Sequence, residues 1–373
     1  MAGNPFSDSY EQARARFLAA CEAAGGRVHS HENRNARGPR GERLFLDAAL
    51  FGDPRASSVL LNTSGTHGAE GFVGSAAQLA WIENGGPEAL PADMGVLMIH
   101  AVNPFGFAHG LRCTEDNVDI NRNWIDHTEP APENDLYAEL HSLLCVERID
   151  DDSLVAAADA VAALADQHGQ WTVDDALSRG QYRFPDGYYY GGTAPAWSQR
   201  MVAAVAFRGL RHARRVAVID WHSGPVGDGE LIYLCYDDRD SDAFRRAASW
   251  WGPDHLEDQE VDRLWGGRRP GRHGVMVPGL AKVLDPRTTM AGGVVELCSA
   301  RPPQGPAGAF RIPMIERWLR FVGGLDHPDA GRLLEEIGEN YAPRRRAWQE
   351  RAIDSTLDVY RKTLDGLARW AGE

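Results

Sequence analysis

Thr66-His67-Gly68-Ala69-Glu70 sets an imidazole and a carboxylate three residues apart, shortly after the apolar run Ser58-Val59-Leu60-Leu61. Both groups are ordinary zinc donors, and a catalytic zinc takes about three protein ligands while keeping one position open for water. A third ligand is therefore expected downstream. His222 is the candidate, near the end of Val216-Ala217-Val218-Ile219-Asp220-Trp221-His222-Ser223-Gly224, where a second apolar run turns polar. Polar side chains closing an apolar strand cost free energy unless they find partners. Asp220 can accept the second N–H of the His222 imidazole and fix its tautomer, as the partners of zinc-bound histidines do. The competing readings are a hydrogen-bonded glycine turn for His67 and Glu70 and a satisfied core histidine for His222. A His/His/Glu set also accepts divalent ions other than zinc.

A second carboxylate stands out in Gly293-Val294-Val295-Glu296-Leu297-Cys298. Buried on an apolar strand, Glu296 has its pKa raised unless a cation lies near. A zinc-bound water supplies such a charge together with a proton to accept. The alternative is a structural ion pair with an arginine.

These residues need a scaffold, and the chain reads as α/β. Residues 7 to 24 form a capped helix that ends at Gly25-Gly26. Strand-like runs follow at Arg43 to Leu50, Ser58 to Asn62 and Val96 to Val102, with a helix from Gly71 to Ile82 between the last two. That βαβ order predicts a largely parallel sheet, and such sheets bind ligands beyond the carboxyl ends of their strands. His67, Asn103 and His222 are all expected there. Helix is expected from Asn134 to about Gly169, with Leu136, Leu140, Leu143 and Leu144 as its apolar stripe, and again from Ala196 to Ala213. An aromatic glycine-rich loop, Gly187-Tyr188-Tyr189-Tyr190-Gly191-Gly192, lies between the two. The last fifty or so residues, rich in Leu, Arg and Glu, read as two surface helices joined near Asn340-Tyr341-Ala342-Pro343.

Composition narrows the function. With 373 residues, 43% of them hydrophobic, the chain can bury a large core. A net charge of −14 and the lack of a long basic run argue against nucleic acid or an anionic membrane as partner. No window approaches the length of a spanning helix and no export signal is read, so a cytoplasmic protein is expected. Five scattered cysteines, Cys21, Cys113, Cys145, Cys235 and Cys298, fit reduced thiols in that compartment.

Asn117-Val118-Asp119-Ile120-Asn121-Arg122-Asn123-Trp124 resembles the VDxNRNW signature of the zinc carboxypeptidases, the M14 superfamily. The order HxxE, Arg, Asn-Arg, His, Glu runs as in that family from about residue 55 to 300, and in detail the chain looks most like the DUF2817 subgroup. The succinylglutamate desuccinylase and aspartoacylase branch shares the layout. The resemblance implies a three-layer α/β/α domain over residues 1–325, with a helical insertion at about 134–213 and a C-terminal helical extension, 326–373, packed on it. It implies one zinc per chain held by His67, Glu70 and His222, Glu296 as general base, Arg112 stabilising the oxyanion, and Asn121 with Arg122 gripping a substrate carboxylate. The family's substrate-binding tyrosine has no counterpart between Tyr236 and Glu296. His273, or a tyrosine of the 188–190 loop such as Tyr190, is the expected replacement. The implied activity is hydrolysis of an amide or peptide bond beside a carboxylate in a small molecule or short peptide. Carboxypeptidase and N-acyl amino acid deacylase both fit, a non-catalytic metal-binding relative is the contrasting reading, and a homo-oligomer stays open. Ser64 and Ser223 lie outside any GxSxG elbow, which disfavours a serine esterase.

Overall fold

Strand residues alternate between two faces, so a strand covered on both sides must be apolar at nearly every position. Ser58–Ser64 and Met94–His100 are buried throughout, and Arg215–Gly224 is buried at all but its first residue. A computed structural model, which describes residues 3–224, 228–253, 256–257, 268–299 and 307–373, places these segments at the centre of one sheet. Its strands are β1 (Arg27–Asn33), β2 (Leu44–Gly52), β3 (Ser58–Ser64), β4 (Met94–His100), β5 (Arg215–Gly224), β6 (Asp228–Leu234), β7 (Leu256–Glu257) and β8 (Thr289–Ser299). The spatial order is β1-β2-β4-β3-β5-β8-β6-β7. The central run β4-β3-β5-β8 is parallel, while β1 and β2 at one side and β6 at the other enter antiparallel. The mixed, largely parallel α/β sheet expected from the sequence is the one observed.

Helices cover both faces. Leu60, Ala217, Ile219 and Trp221 point into a core shared with α1 (Tyr10–Ala23), α2 (Gly71–Glu83), α9 (Asp242–Trp251) and α13 (Arg346–Ala371). Val59, Leu61, Val216 and Val218 face the opposite core, built with α4 (Ile120–Asn123), α8 (Trp197–Gly209) and α10 (Met276–Ala281). Near the carboxyl edge of the sheet stand α3 (Pro104–His109), α11 (Arg311–Phe321) and α12 (Ala330–Tyr341). The stretch expected as one helix from Asn134 to Gly169 is broken into α5 (Tyr137–Leu144) and α6 (Asp151–His168), and α7 (Gln170–Ser178) follows. These three enclose a core of their own around Leu140, Leu144, Leu154 and Val161. Asp150 caps α6 by accepting from Ser153 N, which explains the break.

Two readings need correction. The sequence did not mark β1, β6 and β7: β1 is an edge strand with only Asn33 buried, β7 is an edge strand of two residues, and β6, paired with both β8 and β7, is interrupted by a register shift between Asp228 and Leu231. More consequentially, α13 is not a surface helix. Trp348, Ala352, Val359, Tyr360, Leu367 and Trp370 form a stripe buried in the main core, and each such large apolar side chain contributes about 1.5–3 kcal/mol when buried. The Tyr360 hydroxyl donates to Asn62 Oδ1 at 2.8 Å and accepts from Trp221 Nε1 at 3.3 Å, joining α13 to β3 and β5.

Tyr360→Phe leaves a buried amide oxygen and an indole N–H without that partner. A loss of about 1–3 kcal/mol in urea denaturation is expected, with an unchanged m-value.

Candidate active site

His67, Glu70 and His222 come together although β3 and β5 carry them from distant parts of the chain, and they form one of two groups of metal-ligating side chains found among the described residues. Parallel pairing of β3 with β5 sets Ser64 beside Trp221, so the chain leaving β3 passes the end of β5. His67 and Glu70 bracket the 3₁₀ turn Gly68–Glu70. Gly68 is required there, since a Cβ would lie 2.0 Å from the carbonyl carbon of Gly106. Gly68 N and Ala69 N donate to Arg112 O and Leu111 O, fastening the turn to the loop that carries Arg112.

The donor geometry is specific. His67 Nδ1 is 2.9 Å from Glu70 Oε1, His222 Nδ1 is 2.9 Å from Glu70 Oε2, and the two Nδ1 atoms lie 3.1 Å apart. Each imidazole turns its other nitrogen toward a buried carboxylate, His222 Nε2 to Asp220 Oδ2 at 2.8 Å and His67 Nε2 to Asp119 Oδ1 at 3.2 Å. Protons on both Nε2 atoms satisfy those carboxylates and leave two Nδ1 lone pairs converging on the Glu70 carboxylate. Three acceptors meeting without a shared proton repel one another, so the cluster demands positive charge, as a proton or as a metal ion. The titration tendencies agree. Burial opposes charging His222, yet Asp220 and Glu70 hold its pKa well above the ordinary value. Burial likewise pushes Glu70 up, but His67 and His222 overcome it and leave the carboxyl lowered. The donor set therefore fits a divalent ion.

The expected outer partner Asp220 is in place, and its Oδ1 accepts from Thr63 Oγ1 and Thr66 Oγ1 at 2.6 and 2.8 Å. Asp119 is the partner that the sequence did not single out. It caps α4 by accepting from Asn121 N at 2.8 Å, contacts His67, and receives Arg112 Nε on its other oxygen at 3.0 Å. Burial alone would raise its pKa, and Arg112, His67 and Arg122 hold it well below the carboxylate range.

Glu296 sits beside His222 in the β5–β8 register. Its Oε2 is buried with no hydrogen-bond partner, as is the Oγ of Ser223, the residue after His222. Burial and the nearby Glu70 raise the Glu296 pKa from 4.5 to about 7.

A cavity of about 560 Å³ opens over these groups. Its floor is His67, Glu70, His222 and Glu296; Arg112, Asn121, Arg122 and Arg272 supply polar and cationic lining; Leu144, Leu177, Tyr188, Phe310 and Ile312 are among its apolar residues. Arg112 Nη1 reaches to 3.5 Å from Glu70 Oε1. Arg122 is buried, with its Nε and Nη2 donating to Ser178 O at 2.9 and 2.6 Å. Burial, aided by Arg272 and Arg112, lowers its pKa, so an anion in the cavity would relieve an uneven concentration of positive charge.

Neither Tyr190 nor His273 is among the residues lining this cavity. Tyr189 lines it instead, because its positive φ of 50° turns the loop there and sets its ring 5.2 Å from the Arg112 guanidinium and 5.1 Å from that of Arg122. Tyr190 is buried and contributes its carbonyl oxygen to Asp119 N. His273 is tied through its backbone to Arg179 O, and Arg272 before it provides the cavity residue of that loop. Tyr341, at the end of α12, is a further tyrosine on the lining that the sequence did not mark.

Comparison with known proteins adds the following. The family described as "Protein of unknown function (DUF2817)" matches residues 6–355. No curated protein matches the chain. Among solved structures, carboxypeptidase A from Helicoverpa armigera is similar at 12% identity and a TM-score of 0.48, covering 92% of this chain and 76% of its own. Bovine thrombin-activatable fibrinolysis inhibitor is similar at 13% identity and a TM-score of 0.45, covering 94% and 98%. A metallo-carboxypeptidase from Burkholderia cenocepacia gives 13% identity and a TM-score of 0.38, covering 95% and 70%.

The raised pKa of Glu296 has a consequence for metal-free protein. Between pH 4.5 and about 7 the unfolded chain gives up this proton while the folded chain retains it, so stability falls as pH rises through that window. Metal-free Glu296→Gln should therefore be more stable than metal-free wild type at pH 8, by up to about 3 kcal/mol. The difference should close below pH 4 and shrink when a divalent ion such as zinc is added. Denaturant titrations across pH with and without a chelator check this.

Proposed function

The chain belongs to the DUF2817 family, and we propose that it is a zinc-dependent hydrolase that cleaves an amide bond beside a substrate carboxylate. The observation that carries this reading is the convergence of both Nδ1 atoms on Glu70, each ring backed by a carboxylate, with the unpartnered Glu296 oxygen alongside. His67, Glu70 and His222 would hold the ion. A zinc there supplies a Lewis acid toward the amide carbonyl and lowers the pKa of water.

The remaining roles follow from the chain's own groups. Glu296 Oε2 takes a proton from the attacking water as its oxygen bonds to the carbonyl carbon, and passes that proton to the nitrogen as the C–N bond breaks. Arg112 sets positive charge where the carbonyl oxygen becomes negative, and Asp119 fixes its guanidinium in place. Arg122, Arg272 and Asn121 receive the substrate carboxylate, with the Tyr189 ring stacked against the Arg112 and Arg122 guanidinium groups.

Two substrate types present an amide and a carboxylate to these groups. A C-terminal peptide bond makes the protein carboxypeptidase-like, and an N-acyl amino acid makes it a deacylase. The second draws support from Leu144, Leu177 and Tyr188, which raise one wall of the cavity from the insertion, and from Tyr341 of α12, since walls of this kind favour short substrates.

Glu296→Gln should retain wild-type zinc content and lower kcat by about 10²–10⁴-fold; unchanged turnover would remove the mechanism. Assays of blocked dipeptides against N-acyl amino acids separate the two substrate classes. Arg122→Met should raise KM for either with a smaller effect on kcat, because the carboxylate is held in the ground state and the transition state alike.

A further inference from the structure

The second cluster of metal-ligating side chains lies outside the cavity and takes no part in the proposed reaction. His141 and Cys145 are four residues apart at the end of α5, the spacing that puts two side chains on one helical face. Asp186 reaches them from the loop that leads into Tyr188 and Tyr189. His141 Nδ1 is 3.2 Å from Cys145 Sγ, and His141 Nε2 is 3.5 Å from Asp186 Oδ1, too long for a good hydrogen bond. One ligand atom from each of the three residues falls within 4.8 Å of the others.

The cluster is held from outside. Arg317 of α11 donates to Asp186 Oδ2 at 2.8 Å and to the carbonyl oxygens of Asp186 and Val146 at 3.2 and 3.3 Å. That contact occupies one carboxylate oxygen and leaves the other facing the imidazole. The His141 ring stacks on Phe184 with centroids 4.2 Å apart, which fixes its plane. All three side chains are only partly buried, so an ion has access from solvent.

We propose that Cys145, Asp186 and one ring nitrogen of His141 bind a second zinc, with solvent completing its coordination, and that the ion clamps α5 to the loop carrying the cavity tyrosines. Thiolate, imidazole and carboxylate are all zinc donors, and the two negative groups match the charge of the ion. Binding releases the Cys145 proton to solvent. Burial pushes the thiol up to about 11, so without an ion Cys145 stays protonated and is a poor nucleophile. The clamp would bear on the cavity through Tyr188, whose hydroxyl donates to Leu144 O at 2.9 Å and whose ring, with Leu144, lines the wall.

The test uses the full chain stripped with a chelator, reloaded with zinc alone and desalted, with metal per chain measured by mass spectrometry. A His67→Ala/His222→Ala chain silences the first cluster and should keep about one zinc, which Cys145→Ser or Asp186→Asn then removes. A double-substituted chain that holds no zinc, or that holds it equally with and without Cys145, overturns the proposal. If the double substitution prevents folding, cobalt-loaded wild type answers the same question through the near-ultraviolet thiolate-to-cobalt charge-transfer band. The band should be present and should vanish in Cys145→Ser; its absence from wild type overturns the site. Failure of the catalytic reading would show separately, as a wild-type zinc content no higher than that of the double-substituted chain.

Discussion

The site is organised by a demand for positive charge. Asp119, Asp220 and Glu70 are all buried, and two imidazoles stand between them with each Nε2 facing one carboxylate and each Nδ1 facing another. Such an arrangement is costly in a low-dielectric interior unless a cation neutralises it. The surroundings follow from that demand. Thr63 and Thr66 satisfy the far oxygen of Asp220, and Arg112 satisfies that of Asp119.

Sheet topology explains how groups so distant in sequence reach one point. Parallel neighbours β3, β5 and β8 end at the same edge, so His67, His222 and Glu296 share it without any local motif joining them. The β5–β8 register sets Glu296 directly beside His222, close enough for Glu70 and the two imidazoles to tune it, while its Oε2 has no hydrogen-bond partner. Helices α5 and α7 and the loop that carries Tyr188 and Tyr189 stand over that edge, adding apolar side chains above a polar floor.

Legibility in the sequence tracked how local each signal was. His67, Glu70 and His222 could be read because their types are few and each follows an apolar run that marks a strand. The parallel sheet could be read from the same runs. Asp119 hid within a motif that drew attention to Asn121 and Arg122, since its contact with His67 spans 52 residues of chain and its nearer partner, Arg112, meets it across a loop with no period to mark the pair. The sequence pointed to the 188–190 loop but not to which ring would line the cavity, because a loop has no period; Tyr188 and Tyr189 line it, and Tyr189 has a left-handed backbone. With α13 the signal was present and was overruled by composition. Trp348, Ala352, Val359, Tyr360, Thr363, Leu367 and Trp370 recur at helical spacing, as a buried stripe must.

That long helix also orders events during synthesis. Residues 346–371 leave the ribosome after every strand of the sheet has been made, and they cover the side of β3 and β5 on which Trp221 lies. A nascent chain lacking them presents an oily surface beside an unsatisfied Asn62 amide oxygen, a combination that invites mispairing and aggregation. Closure of that face of the sheet therefore waits for the last helix to be made.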